Sequence, residues 1–138
     1  MRRCLLLVVL LAIGLALARG AASHPAQPSP DRVGLDHGQA RWNAQHLTSY
    51  RFRLTITCDC LGPSHRRLEI IVRRGRPPGG GLFPGQLQTF PEMFRLIRRV
   101  LDDPNAGGAT VQYDPRRGFP RAARLDAVSW AVDHFQPV

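Results

Sequence analysis

Lysine is completely absent from this chain of 138 residues, although arginine is abundant. All 19 basic residues are arginines, against 10 acidic residues, and the formal net charge is +9. The lack of lysine beside abundant Ala, Gly, Pro and Arg indicates a compositional bias of the genome. Selection for an anionic partner is therefore not needed to explain the charge, and a solvated basic surface is the simpler interpretation.

Sequence motifs of known enzyme classes are also absent. The chain has no GxSxG, no HExxH and no glycine-rich loop that leads into a helix to cradle phosphate. Asp133 and His134 are adjacent in a predicted strand, so we expect their side chains to diverge and not to act as a dyad. We therefore predict no catalytic residue and no cofactor, and an enzymatic role has no support from motifs.

Long apolar runs are missing except at residues 4–18, which follow Arg2 and Arg3 and precede several small residues. This order is that of a secretory signal peptide. The run is shorter than the ~20 residues that a membrane-spanning helix needs, so an uncleaved anchor is the weaker interpretation. We predict a signal peptide over 1–22, cleaved near Ala18 or Ala22. The mature protein is then secreted or periplasmic and has no transmembrane helix.

The remaining chain is predicted to form a linker and one domain. Residues 23–35 are rich in proline and polar residues, as linkers are. Residues 36–138 have the size of a single small domain. Without the three arginines of the leader, 16 arginines stand against 10 acids, so the charge falls to about +6. Nucleic acid is a poor partner for an exported protein, and no recognition motif for it is present.

The apolar pattern predicts an α+β fold in the order α-β-β-α-β-β-β. We expect about five antiparallel strands, with two helices packed on one face of the sheet. The first helix is predicted over 36–47 with Asp36 as its N-cap. The second follows a capping box that begins at Thr89. Its apolar stripe consists of Met93, Phe94, Ile97, Val100 and Leu101. The last three strands are predicted at 109–113, 119–126 and 128–135.

The clearest predicted strand covers residues 50–60, in which apolar and polar residues alternate. Arg51 and Arg53 lie on its outward face, and Arg73 lies outward at the end of the returning strand. These three arginines form the candidate face for an anionic partner, either an envelope polymer or lipid headgroups. The segment Pro-Pro-Gly-Gly-Gly at 77–81 is predicted to be a loop.

The inward face of that strand ends in Cys58 and Cys60, the only cysteines that remain after the leader is removed. Residues i and i+2 of a flat strand are ~6.6–6.8 Å apart at Cα, the outer limit for a disulfide. A bend at Asp59, which the following Gly62-Pro63 favours, allows the bridge to close. Export and the lack of another partner favour a local structural disulfide, while free buried thiols stay open.

Metal binding and redox chemistry are the alternatives for this cysteine pair. A metal site needs about four ligands, and Cys58, Cys60 and His65 supply three at most. A redox site needs an exposed thiolate, whereas these thiols are expected to point inward. We therefore predict no metal and favour a non-enzymatic exported binding or structural module. The alternative is a small envelope thiol-redox or metal-handling protein that uses the two cysteines.

A tight turn is predicted at residues 114–118, between two of the C-terminal strands. The Asp114 side chain can accept hydrogen bonds from the following backbone, and Gly118 can adopt positive φ. Asp114 is therefore expected to be structural and not a catalytic acid. Tyr113 leads into this turn, and Pro120 suits either an edge strand or the start of a strand.

These features, taken together and in this order, resemble a known family. They are Trp42, Tyr50-Arg51-Phe52, Cys58-Asp59-Cys60, Val72, Gly75, Phe94, Tyr113-Asp114-Pro115, Gly118-Phe119-Pro120, Asp126 and Asp133. The chain is similar to exported bacterial proteins grouped as domain of unknown function 6174, over nearly all of the mature domain. The resemblance implies a small exported or envelope-associated α+β domain, and it brings no assigned activity.

Overall fold

The structure, a computed structural model, describes residues 29–58, 65–77, 87–126 and 128–138. Its elements are α1 (Pro30–Asn43), β1 (Tyr50–Cys58), β2 (His65–Val72), α2 (Phe90–Asp102), β3 (Ala109–Tyr113), β4 (Pro120–Leu125) and β5 (Val128–Pro137). The predicted α+β class and element order are confirmed. The predicted signal peptide with its cleavage site, linker residues 23–28, Cys60, the Gly62-Pro63 bend and loop residues 78–81 lie outside the described residues.

The five strands form one antiparallel sheet in the order β2-β1-β5-β4-β3. The last strand, β5, therefore lies in the centre of the sheet, between β1 and β4. Helix α2 connects β2 at one edge to β3 at the other. Strand β1 buries alternate residues as its sequence predicts, and these residues pack with the helices in one core.

Helix α1 corrects the predicted helix bounds, which were wrong by six residues at the start. Ser29 is the N-cap, and its hydroxyl oxygen accepts a hydrogen bond from the Arg32 amide at 3.3 Å. Pro30 occupies the first turn, where its missing N–H costs nothing, so residues 30–35 of the predicted linker are helical. Asp36 is not the cap. It lies inside the helix, and its carboxylate binds Arg98 of α2 at 2.8 Å.

The weak amphipathicity of α1 explains the error. Only Leu35, Gly38 and Trp42 of this helix are buried, so the sequence shows little helical period. The helix also ends at Asn43 and not at Leu47. His46, which was predicted to be helical, instead has a φ of +52°.

Helix α2 confirms the predicted capping box and apolar stripe. The Glu92 amide donates to the Thr89 hydroxyl at 3.3 Å, and the Glu92 carboxylate accepts from the Thr89 amide at 3.0 Å. The stripe residues Met93, Phe94 and Ile97 are buried. The capping box thus determines where the helix begins, and the buried stripe determines which side of the helix packs against the core.

An aromatic cluster around Phe90, the first residue of α2, joins the helices to the sheet. Its ring centroid lies 4.7 to 5.8 Å from those of Trp42, Tyr50, Phe52, Phe119 and Phe135. The Tyr50 hydroxyl oxygen also accepts a hydrogen bond from the Phe90 amide at 3.2 Å. Burial raises the pKa of Tyr50 to about 12, so this phenol is neutral at physiological pH.

Helix α1 crosses the β3–β4 turn at two glycines in close contact. A Cβ on Gly38 would lie 2.6 Å from Cδ1 of Tyr113, and a Cβ on Gly118 would overlap the Gly38 carbonyl oxygen. The Arg41 guanidinium donates to the Pro115 carbonyl oxygen at 2.8 Å and holds the helix over the turn. Side chains at either glycine would therefore separate the two elements.

We predict that Gly118→Ala destabilises the protein much more than Gly75→Ala. Both glycines have positive φ, +82° and +73°, so both substitutions carry a backbone cost of about 1–2 kcal/mol. No atom lies within 4 Å of a Cβ on Gly75, whereas Gly118 lies against α1. The free energy of unfolding, measured in urea, should fall by at least about 2 kcal/mol more for Gly118→Ala. Equal losses for the two variants would contradict the close contact.

Candidate binding face on the open side of the sheet

The sheet has one face covered by helices and one open face. We call the residues on the open side the outward face. In the described parts of the chain no helix lies against it, since both helices pack with the buried residues of the other side. The outward face carries six arginines, Arg51, Arg53, Arg67, Arg73, Arg121 and Arg124. Two acidic residues, Glu69 and Asp133, share it.

A β-bulge at His134 shapes the outward face. Arg53 is the register partner of Asp133, and Arg51 is the partner of Gln136, so one extra residue of β5 is accommodated between these pairs. His134 adopts a left-handed backbone with a φ of +52°. Phe135 then points into the aromatic cluster.

The bulge also corrects the prediction that Asp133 and His134 diverge. Because the alternation of side chains is interrupted at the bulge, both residues are exposed on the outward face. Nε2 of His134 lies 3.8 Å from Oδ1 of Asp133. Adjacent residues in a regular strand do not meet in this way. The spacing of Val132 and Phe135 was the available signal, since two inward residues three apart cannot belong to one unbroken alternation.

The structure brings the candidate residues Arg51 and Arg53 together beside groups of β5 and β2. The Arg51 guanidinium donates to the Gln136 side-chain oxygen through Nε at 2.8 Å and also through Nη2. Nη1 of Arg53 lies 3.8 Å from Oδ1 of Asp133. Glu69 is the register partner of Arg53 on β2. The acids beside Arg53 therefore offset part of its charge.

Arg73, the third candidate, lies just beyond the end of β2. It forms an isolated backbone bridge with Arg76 around a tight turn at Arg74 and Gly75. Arg73 continues the outward set of β2, one step past Ile71, which is the partner of Arg51. The three arginines thus share a face, but Arg73 lies at its end and not beside Arg53.

A small depression lies at the bulge. It has a volume of about 180 Å³ and is lined by Arg51, Phe52, Arg53, Glu69, His134 and Gln136. Of these residues, the two arginines were predicted from the sequence as part of a binding face, whereas Glu69, His134 and Gln136 were not. These residues come together only through strand pairing and the bulge. The pairing partners of β1 cannot be read from β1 alone, and the spacing of Val132 and Phe135 indicates a bulge without indicating which residues of β1 and β2 lie beside it.

The cysteine candidate Cys58 closes β1 on the inward side and is 9% exposed. His65, the third ligand that the metal alternative needs, is exposed on the other side of the sheet. Its Nδ1 lies 3.3 Å from the Thr57 hydroxyl oxygen. In the described residues no three His, Cys, Asp or Glu side chains are grouped so as to hold a metal ion.

The turn residues Asp114 and Gly118 have structural contacts. One carboxylate oxygen of Asp114 accepts from the backbone amides of Arg116 at 3.0 Å and Arg117 at 2.6 Å. The Gly118 amide donates to the Asp114 carbonyl oxygen at 2.8 Å. Pro120 is buried at the start of β4. The Asp114 carboxylate is therefore engaged by its own turn.

The Tyr113 side chain lies against α1 and α2. Its ring stacks on Phe94 with a centroid distance of 6.3 Å and faces Gly38. Burial raises the pKa of Tyr113 to about 12, and the charge of Asp31 acts in the same direction. The phenol is therefore neutral at physiological pH and acts in packing.

These observations define a small α+β domain with a helix-covered and an open sheet face. Residues 34–134 match the family described as Family of unknown function (DUF6174), and the chain belongs to this family. The resemblance seen in the sequence is thereby confirmed. No curated protein and no solved structure matches the chain. In the part of the chain that the structure describes, every helix is too short or too polar to span a membrane.

We predict that the residue type at position 134 controls stability through its backbone. His134→Gly should keep the free energy of unfolding within about 1 kcal/mol, because glycine adopts positive φ without strain. His134→Val should lower it by about 1–3 kcal/mol, since a β-branched residue is strained there. Ala131→Val, at an exposed regular position of the same strand, is the control and should be nearly neutral. A His134→Val variant as stable as the control would contradict the bulge.

Proposed function

We propose that this protein is an exported, non-enzymatic binding module whose outward face holds an anionic envelope polymer. One observation carries the proposal: six arginines and only two acids lie on a sheet face that no described helix covers. The planar guanidinium group of arginine can donate two parallel hydrogen bonds to a carboxylate, sulfate or phosphate group. The excess of positive charge also raises the local concentration of a polyanion.

A polymer fits the outward face better than a lipid surface does. Proteins that lie on membranes insert large apolar side chains between the headgroups. The exposed large apolar residues in the described chain are Val33 on α1, Ile71 on the outward side of β2 and Val138 just beyond the end of β5, so they form no apolar patch on the outward face. The charges instead follow strands across the sheet, with Arg51 and Arg53 on β1, Arg67 on β2 and Arg124 on β4. Such a spread suits an extended chain of repeated charges.

Export and a disulfide between Cys58 and Cys60 belong to the same proposal. The leader over residues 1–22 supports export into an oxidising compartment, where small domains gain stability from disulfides. Cys58 ends β1 on its inward, nearly buried side. Cys60 follows after one residue, so the bridge would pin the end of the strand that carries Arg51 and Arg53.

We predict that the double substitution Arg51→Glu and Arg53→Glu abolishes most binding to polyanions while the fold is kept. Both side chains point outward and lie outside the core, so the free energy of unfolding should change by only about 1 kcal/mol. The measurement is retention on polygalacturonate and dextran sulfate resins at about 0.15 M salt, where weak surface attraction is screened. We expect at least about a tenfold loss of affinity from the removal of two charge-assisted contacts.

The matched control is the double substitution Arg95→Glu and Arg116→Glu. It changes the net charge equally, but Arg95 lies on α2 and Arg116 in the β3–β4 turn, away from the outward face. It should weaken retention much less. Retention on anionic lipid vesicles but not on the polymers would favour lipid headgroups over a polymer. Equal losses for the two double variants, or no retention of the wild type, would refute the proposed face.

We predict that the mature protein from an oxidising compartment contains no free thiol. Alkylation followed by mass spectrometry should label neither Cys58 nor Cys60 before reduction and both after it. Mild glutathione should leave the bridge intact. Replacement of both cysteines with serine should lower the free energy of unfolding by less than ~3 kcal/mol. That value is expected for a disulfide that closes a loop of fifteen residues, and the loop between Cys58 and Cys60 is far shorter. Free thiols in the purified protein would contradict the disulfide, and rapid exchange with glutathione would favour redox chemistry.

A further inference from the structure

We infer that the depression at the His134 bulge is a subsite for one acidic sugar residue, a ring with one anionic group and free hydroxyls. This inference rests on the proposed binding of an anionic polymer and names the chemistry of its repeating unit. Three observations carry it. The depression combines oriented arginines with the carboxylate of Glu69, which pairs with no other described residue, it has the size of a small ring, and it opens onto a row of small side chains.

The bulge creates the depression by interrupting the β1–β5 ladder. Phe52 lies on β1 between the pairs Arg51–Gln136 and Arg53–Asp133. Its ring is buried on the other side of the sheet, so the floor of the depression is its backbone. The side chains of Arg51, Arg53, Glu69 and His134 form the walls. Bulges redirect side chains in this way beside binding sites in many proteins.

The two arginines are held in place before a ligand arrives. Gln136 accepts from two nitrogens of Arg51, and Asp133 lies 3.8 Å from Nη1 of Arg53. Preoriented side chains lose less conformational entropy when a ligand binds. A single carboxylate or sulfate placed between the two guanidinium groups receives charge-assisted hydrogen bonds from both.

The carboxylates at the rim determine which anions fit. Glu69 is exposed and makes no hydrogen bond or ion pair with any other described residue, and Asp133 is about half exposed. An ionised carboxylate only accepts hydrogen bonds, so it requires donors from the ligand. Sugar hydroxyls are such donors. A polyanion without hydroxyls, such as polyphosphate, would instead be repelled by Glu69 and Asp133.

The size and surroundings of the depression fit one unit of a longer chain. Its volume of about 180 Å³ lies below the ~300–1,000 Å³ of pockets for drug-sized ligands. The neighbouring outward positions are small, with Thr55 on β1, Ala131 on β5 and Ala122 on β4 in one row. A polymer can therefore leave the depression and continue across the sheet, where Arg67 lies at the β2 end of this row and Arg124 lies on β4 next to Ala122 on the same face.

The experiment measures binding of the wild type and of Glu69→Gln to two probes, an oligogalacturonate and polyphosphate, by isothermal titration calorimetry. The substitution removes one negative charge and weakens an acceptor while the side-chain shape is kept. For the subsite, oligogalacturonate affinity should fall about fivefold, because a charged hydrogen-bond acceptor is replaced by a neutral one. Polyphosphate affinity should stay equal or rise, because a repulsive charge is gone. The control Asp31→Asn makes an equal charge change on α1 and should alter the affinity for either probe by no more than about twofold.

The remaining outcomes separate this inference from the proposed function. Tighter binding of both probes by Glu69→Gln would mean that only net charge acts, and it would overturn the subsite while the anionic face survives. If the wild type binds polyphosphate but does not bind oligogalacturonate, the subsite is overturned in the same way. Binding of neither probe, with no retention on dextran sulfate, would overturn both.

Discussion

The packing of Phe90 against five other aromatic rings is the interaction on which the rest of the structure depends. Trp42 comes from α1, Tyr50 and Phe52 from β1, Phe119 from the end of the β3–β4 turn and Phe135 from β5. Each aromatic pair is worth about 0.5–1.5 kcal/mol beyond its buried area. Phe90 is also the first residue of α2, whose start the Thr89 capping box fixes. One side chain therefore links both helices to the centre of the sheet.

The β-bulge connects this cluster to the outward face. The extra residue in β5 turns Phe135 inward, and it turns His134 outward beside Asp133. In an unbroken strand the two aromatic rings would exchange faces, which would bury an imidazole and expose a phenyl ring. The packing of Phe135 against the aromatic cluster offsets the cost of the left-handed backbone at His134. The core and the candidate binding face therefore rest on the same local irregularity.

The helix α2 and the strands could be predicted because their signals are local. The capping box at Thr89 and the alternation along residues 50–58 each lie within one element, and the structure contains both. Helix α1 was misplaced because it buries few residues, so its amphipathic signal is weak. The contact of Gly38 with Gly118 joins residues 80 positions apart in the chain, and no local pattern specifies it.

The candidate site was predictable only in part, for the same reason. Alternation identified Arg51 and Arg53 as outward, but Glu69 and Gln136 reach them through strand pairing, which one sequence does not specify. The strand order also places β5 between β1 and β4, an arrangement that the order of elements along the chain does not indicate.

The central position of β5 has a consequence for how the domain acquires its structure. Before residues 128–137 have been synthesised, β1 with β2 and β3 with β4 are separate pairs, and an isolated pair of strands is marginally stable at best in water. The contacts between β1 and β5, which join the two pairs, are distant in sequence, and such contacts form late. A chain that still lacks its final strand therefore contains no stable half-domain, and the sheet forms as one unit only when β5 is available.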